Sequence, residues 1–528
     1  MINPAVCEGC GDCSRTSNCV AVEPLETDAG RKRRINQSAC NKDYSCLKGF
    51  CPSFVTLRGA SLRKWHAGGG ADVSALPEPA LPPIERAWNL ALAGIGGTGV
   101  LTISAILGMA AHVEGKIPMV LDMAGLAQKG GAVMSHVRIS RPDRPVAAPR
   151  IAAGSADLLL AADTVVAAAR ECMVLCSPER TQAVLNTRLT PVSDFIRQRD
   201  FDFRTAECEA NIADAVRSTG HFLNFSALAA RLTGDEIGAN LMLLGYAWQK
   251  GMVPLAGASI LQAIRLNGVA VGANTEAFNW GRLLADDPGR VIAIAGLDDR
   301  PAPPATLEAL VAARAAHLTA YQDARLAARY ADRVARIAGA AGPDSALPRI
   351  VAENYARVLA YKDEYEVARL YSLPAFRAGL EAEFTGDFRI ALNLAPPILA
   401  RKGPDGRPAK REYGRWILPV LGVLARLRFL RGTWADPFGH SRDRRLERAL
   451  IAAYEADLDL AERAAGAATL PLLRELLALP QEIRGYGPVK EAAHGRQMQR
   501  RDALRAQISD TERPADRPTD RPTNRNAA

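Results

Sequence analysis

Seven of the ten cysteines lie in the first 51 residues: Cys7, Cys10, Cys13, Cys19, Cys40, Cys46 and Cys51. The first run reads Cys7-x2-Cys10-x2-Cys13-x5-Cys19, and the second Cys40-x5-Cys46-x4-Cys51-Pro52. Asp43 stands midway between Cys40 and Cys46, so the two-residue spacing continues there with a carboxylate in place of a thiol. Soft thiolates spaced this closely are metal ligands when a chain stays in a reducing compartment, and a disulfide framework when it is secreted. The start, Met1-Ile2-Asn3-Pro4-Ala5-Val6, has neither the basic region nor the apolar core of a signal peptide. Metal ligation in a cytoplasmic protein is the expectation.

The array resembles the ligand series of two-cluster bacterial ferredoxins, C-x2-C-x2-C-x3-C-P written twice. The resemblance implies that the ligands cross over. A first 4Fe–4S cluster would take Cys7, Cys10, Cys13 and Cys51. A second would take Cys19, Cys40 and Cys46, with Asp43 at its fourth corner. An oxygen ligand holds iron less firmly than a thiolate, so that corner is expected to be labile and could leave a three-iron cluster. Five residues before Cys19 and four before Cys51 depart from the ferredoxin spacing. A single cluster with leftover cysteines, or a zinc site, therefore stays open. Zinc usually takes paired C-x2-C elements across a spacer, which the triplet fits poorly.

At 528 residues the chain is long enough for several domains of about 150 residues each. The expected fold is multidomain α/β. It comprises a ferredoxin-like iron–sulfur module over 1–60, a Gly/Pro-rich linker over 61–85, a doubly wound α/β domain over 86–295, and a mainly helical domain over 300–508. A tail over 509–528 repeats Arg-Pro at four-residue spacing and is expected to be disordered. In the α/β zone, the apolar runs Leu90–Ala93, Met119–Leu121, Leu158–Ala161 and Met173–Leu175 read as strands of a mainly parallel sheet. Leu446, Leu450, Ile451, Tyr454 and Leu458 recur at helical spacing in the last zone. The net charge of +9 comes without a basic stripe interleaved with aromatics, so nucleic-acid binding is not expected. The apolar stretch from Ala87 to Val113 is broken by glycines and is not read as a membrane span.

Gly94-x-Gly96-Gly97-x-Gly99 follows the first apolar run, and Asp122 comes at the end of the next. Read as a dinucleotide fingerprint, the glycines admit a pyrophosphate and the acid meets a ribose hydroxyl. The same pattern also makes a tight strand-to-helix turn in any doubly wound domain. A second glycine cluster, Lys129-Gly130-Gly131, leads into Ser135, His136 and Arg138, which could meet an anionic substrate or an interface. The alternatives are a hairpin with solvated polar residues and a packed His136. Cys172 and Cys176 lie in an apolar setting that favours inert thiols.

Taken in order, these motifs resemble the C-terminal half of the large fused bacterial indolepyruvate ferredoxin oxidoreductases. The resemblance rests on Val6 to Ser14, Gly30 to Arg34, Cys40-Asn41, Gly49 to Phe54, the glycine turn, and Gln128 to Gly131. It continues through Asn240 to Gly251, Leu266 to Val269, Asp436 to Gly439 and Ile483 to Gly487. It implies oxidative decarboxylation of an aryl-2-oxo acid on thiamine diphosphate and magnesium, release of an acyl-CoA, and electron transfer through 4Fe–4S clusters to ferredoxin. The thiamine-binding Gly-Asp-Gly motif of such enzymes does not occur here; Gly234-Asp235-Glu236 and Gly386-Asp387-Phe388 depart from it. A thiamine diphosphate-binding subunit is therefore the expected partner, in an oligomer, with coenzyme A and the 2-oxo acid as substrates of the complex. The chain is either a true split subunit or a truncated reading frame. The competing readings are an NAD(P)- or flavin-linked iron–sulfur reductase using Gly94 to Gly99, and an inactive orphan fragment.

Overall fold

The computed structural model describes the chain except residues 64–69, 98, 125–130, 191–192, 298–303, 305, 343–344, 397–408 and 513–528. In the cysteine segment, β1 (Val22–Leu25) and β2 (Lys32–Ile35) form an antiparallel hairpin in the register Val22↔Ile35 to Leu25↔Lys32. An antiparallel bridge from Ile2 to Phe54 brings the two ends of the segment together. Beyond it lie the short strands β3 (Val55–Arg58) and β4 (Ser61–Leu62).

The α/β region is built on six strands: β5 (Ala87–Ile95), β6 (Ile117–Ala124), β7 (Ala132–Ser140), β8 (Leu158–Ala161), β9 (Gln182–Asn186) and β10 (His221–Leu223). Their order is β10-β9-β8-β5-β7-β6. β10, β9, β8 and β5 run parallel, whereas β7 pairs antiparallel with both β5 and β6. The sheet is parallel-rich, but β6 and β7 form a hairpin and β7 is inserted between the first two strands expected from sequence. β5 is central and nearly all apolar because both of its faces are covered. Leu90 and Leu92 enter one core, while Ala91, Ala93 and Ile95 enter the other. The helix Val100–Val113 buries Val100, Ile103, Ile106, Leu107, Ala110 and Ala111 on one face.

One expected strand is not a strand. Met173–Leu175 lies at the end of the helical turn Arg170–Met173, and the next strand is β9. A short apolar run is compatible with either form; here Cys172, in that turn, and Cys176, beyond it, meet one core.

The C-terminal region is mostly helical and includes Glu364–Ser372, Ile417–Arg426, Arg442–Ala464 and Gly487–Glu512. It is not purely so: β11 (Phe384–Thr385), β12 (Arg389–Leu394) and β13 (Arg411–Tyr413) belong to it. β12 pairs with β3 on one side and β13 on the other, and β11 pairs with β4. Strands that follow the cysteines are thus completed by residues more than 300 positions later. Among the described residues, no helix is long and apolar enough to cross a membrane.

Candidate metal centre

The cysteines separate into two sets. Cys7, Cys13 and Cys51 are buried in one small core with Ile2, Val22 and Phe54. Cys10 lies beside them: burial, then the neighbouring Cys7, pushes its thiol up to about 11 despite a backbone hydrogen bond from Asp12. Burial followed by the charges of Cys7 and Cys10 pushes Cys13 up to about 12 and Cys51 well above its ordinary value. The second set is nearer the surface. Cys46 is pushed up to about 11, by burial and then by Cys19 and Cys40, and Asp43 adds to the same direction. Asp43 is exposed, and its Oδ1 accepts the Ser45 backbone N–H at 3.0 Å and the Ser45 hydroxyl at 2.9 Å.

Local chemistry explains how so short a loop presents its thiols. Gly9 has φ +67°, and its N–H donates to Cys7 Sγ at 3.3 Å. A Cβ on Gly9 would sit 2.1 Å from the Arg31 carbonyl oxygen, and one on Gly49 would sit 2.8 Å from the Cys13 Cα. Asp12 ties the two runs together, since its Oδ2 accepts the Phe50 N–H at 2.8 Å. In the second set, the Lys42 N–H reaches Cys40 Sγ at 3.4 Å. N–H donors aimed at sulfur and the absence of room for a Cβ are features that suit thiolate ligation of a cluster. Among the described residues, no three His, Cys, Asp or Glu side chains are close enough to hold a single metal ion. A multi-iron cluster makes a different demand, because each thiolate meets a different iron at a separate corner.

The first set is surrounded by cations that sequence reading did not single out. Arg33 is buried, donates to the Arg199 carbonyl at 2.6 Å, and lies 4.5 Å from the Phe195 ring centroid. Burial lowers its pKa, and the nearest opposing influences are Cys13 and Cys7. Lys362 pairs with Glu8 at 2.6 Å. Burial disfavours the Glu8 carboxylate, but Lys362, Lys32 and Lys490 outweigh it and hold its pKa well below the usual range. Lys410 lies against Cys51 and donates to the Gly49 carbonyl at 2.5 Å. No sequence spacing links these lysines to the cysteines; long-range contacts such as the pairing of β3 with β12 and the Tyr371 and Tyr486 hydrogen bonds bring the two regions together.

The other predicted residues fall elsewhere. Gly94, Gly96, Gly97 and Gly99 form the expected strand-to-helix turn between β5 and Val100–Val113, and the Gly96 N–H donates to the Gly131 carbonyl at 2.8 Å. Asp122 is exposed but already engaged on one carboxylate oxygen. Its Oδ1 accepts the hydroxyls of Ser104, at 2.9 Å, and Ser135, and β7 separates its strand from β5. Lys129 and Gly130 lie outside the described residues. Ser135 and His136 are buried, not solvated, and His136 Nδ1 accepts the Ile151 N–H at 2.9 Å. Arg138 donates to Asn89 at 2.9 Å and to the Ala148 carbonyl. Cys172 is fully buried, and burial raises the pKa of both Cys172 and Cys176, as the inert reading requires.

Comparison with known proteins adds a framework to this geometry. Residues 89–284 match the pyruvate ferredoxin/flavodoxin oxidoreductase family, and residues 307–503 match a family of unknown function, DUF6537. The indolepyruvate oxidoreductase subunit IorB of Methanothermobacter thermautotrophicus is 26% identical over 199 residues, covering 37% of this chain and 95% of that subunit. The IorB subunit of Archaeoglobus fulgidus is 29% identical over 198 residues, covering 37% and 92%. The keto/oxoacid ferredoxin oxidoreductase gamma subunit of Geobacter sulfurreducens covers 38% of this chain and 98% of its own, with 21% identity and a TM-score of 0.27. Over this segment, about 37% of its length, the chain is thus similar to the pyruvate ferredoxin/flavodoxin oxidoreductase family and to the indolepyruvate oxidoreductase IorB subunits.

Proposed function

We propose that the chain is the electron-transfer and assembly part of a 2-oxoacid:ferredoxin oxidoreductase whose thiamine diphosphate and magnesium are held by a partner. The complex would oxidatively decarboxylate an indolepyruvate-type aryl-2-oxo acid, transfer the acyl group to coenzyme A and pass electrons to ferredoxin. In this reading residues 1–60 are a ferredoxin-type module, 86–295 the gamma-type domain and 300–508 a further, mainly helical domain. The observation that carries the reading is the grouping of the cysteines: Cys7, Cys13 and Cys51 share a buried core against which Cys19 and Cys46 pack, with Cys10 acting on Cys51 and with Cys19 and Cys40 acting on Cys46.

When bound, 4Fe–4S clusters supply one-electron acceptors and donors. The chain's own residues do the rest. Cys7, Cys10, Cys13 and Cys51 would hold the first cluster, and Cys19, Cys40, Cys46 and Asp43 the second. Each thiol must give up a proton as it ligates iron. Burial of the first set excludes water, and the Gly9 N–H fixes the direction of the Cys7 sulfur. The shallower second set, with Asp43 and Tyr44 exposed, suits exchange of electrons with a soluble carrier.

The test is anaerobic purification followed by viologen-dye reduction with indolepyruvate and coenzyme A. Activity is expected only after a thiamine diphosphate-binding partner is added; turnover by this chain alone would overturn the split-enzyme reading. Rapid reduction of the clusters by NAD(P)H would favour a nicotinamide-linked reductase. Asp43→Cys is expected to turn a labile three-iron signal into a stable four-iron one, and unchanged spectra would remove Asp43 from the ligand set.

A further inference from the structure

Beside Arg33 and Arg199, four of the residues that close over the first cysteine set come from the region matched to the family of unknown function. Lys362 Nζ donates to the carbonyls of Val6 and Cys7 at 3.3 and 3.1 Å. Tyr486 Oη donates to Val6 at 2.6 Å, and Tyr371 Oη to Pro52 at 2.6 Å. Lys410 Nζ donates to the carbonyls of Gly49 and Cys51, and its ammonium sits 4.7 Å from the Phe54 ring centroid. All four donors therefore grip backbone beside Cys7 or Cys51, the first and last residues of the set. Among the hydrogen bonds of the described residues, none runs from 307–503 to the backbone of Cys19, Cys40 or Cys46.

Charge gives the asymmetry a purpose. A buried ammonium is costly unless an anion compensates it. Among the described residues, no carboxylate lies within ion-pair distance of Lys410. Its ammonium is instead held against the backbone of the ligand loop, at the Gly49 and Cys51 carbonyls. A cluster held by four thiolates carries net negative charge, so Lys410 stands where such a charge would be met; Lys362, whose ammonium pairs with Glu8 at 2.6 Å, adds a cation that also grips the Val6 and Cys7 carbonyls.

We infer that residues 307–503 act as a clamp and electrostatic counterweight for the first cluster, through Lys362 and Lys410, with Tyr371 and Tyr486 fixing the backbone at either end of the ligand set. This rests on the proposed ligation of that cluster by Cys7, Cys10, Cys13 and Cys51. A nearby cation favours the reduced, more negative cluster. Removing one ammonium therefore lowers the first cluster's potential and leaves the second near its original value.

The test is an EPR-monitored potentiometric titration of the full chain, loaded anaerobically, with iron and sulfide measured on each sample. Lys410→Met and Lys362→Met are each expected to lower the equilibrium constant for reduction of the first cluster about tenfold, about 59 mV for one electron. Lys410→Arg, Lys362→Arg and the remote surface variant Arg377→Met are expected to titrate like the unaltered chain. Loss of first-cluster iron from the Met variants, with the Arg variants fully loaded, would support the clamp equally. Unchanged potentials at full iron content in both Met variants would overturn it, as would equal iron loss in the Met and Arg variants. An unaltered chain that takes up no iron would instead overturn the ligation on which the inference rests.

Discussion

Gly9→Ala gives a worked test of why the first cysteine loop has its shape. The residue is left-handed, at φ +67°, which costs a non-glycine residue about 1–2 kcal/mol. Its Cβ would also lie 2.1 Å from the Arg31 carbonyl oxygen, so that oxygen must retreat by close to an ångström. Arg31 cannot swing aside freely. Its guanidinium pairs with Glu26 and donates to the Phe201 carbonyl at 2.7 Å, and its chain runs directly into β2. Overpacking of this kind adds about 1–3 kcal/mol, for a total of about 2–5 kcal/mol. Gly115→Ala separates the two effects: φ there is +68°, but nothing lies within 4 Å of the new Cβ, so only the strain of about 1–2 kcal/mol applies. Iron and sulfide per chain, together with urea unfolding, are the assay. Gly9→Ala is expected to lose the first cluster's iron and keep the second's, whereas Gly115→Ala keeps both. If the two variants were alike in iron and in midpoint, the steric account of the loop would be refuted.

Asp363 and Arg431 form a buried two-bond pair, at 2.6 and 2.9 Å, beneath the Lys362 contact. Asp363→Asn leaves the guanidinium uncompensated and is expected to cost about 3–5 kcal/mol, a fall in melting temperature of roughly 6–20 °C for a region of this size. A shift under 2 °C by calorimetry would contradict the reading. His136 supplies a pH dependence. Burial, then Arg150 and Arg138, lowers its pKa from 6.5, so the unfolded chain takes up a proton that the folded one resists. Its contribution is fully present above pH 6.5 and is lost as pH falls through the lowered folded value. The urea midpoint should therefore drop between pH 7 and 5, and drop less in His136→Asn; equal drops would remove His136 as a cause.

What was legible from the chain was what is encoded locally. Two-residue spacing set Cys7, Cys10 and Cys13 apart as candidate ligands, and the structure brings them close to one another. The glycine turn announced the passage from β5 to its helix, and Leu158–Ala161 matched β8 residue for residue. The failures have a common cause in long-range pairing. Met173–Leu175 is apolar enough for a strand, but the chain turns helically there. Asp122 follows the second apolar run as a ribose-binding acid would, yet the insertion of β7 hands it to Ser104 and Ser135. Lys362 and Lys410 are ordinary surface-type residues in sequence, and only their long-range hydrogen bonds reveal that they lie beside the cysteines.

The electron-transfer reading depends on two cysteine sets holding two clusters, so iron and acid-labile sulfide per chain, with EPR of the reduced protein, is the most direct measurement. About seven or eight irons per chain, with two interacting or separately titrating signals, is the expected result. Four irons or fewer would contradict the claim that Cys19, Cys40, Cys46 and Asp43 form a second site, and none would contradict the electron-transfer role altogether.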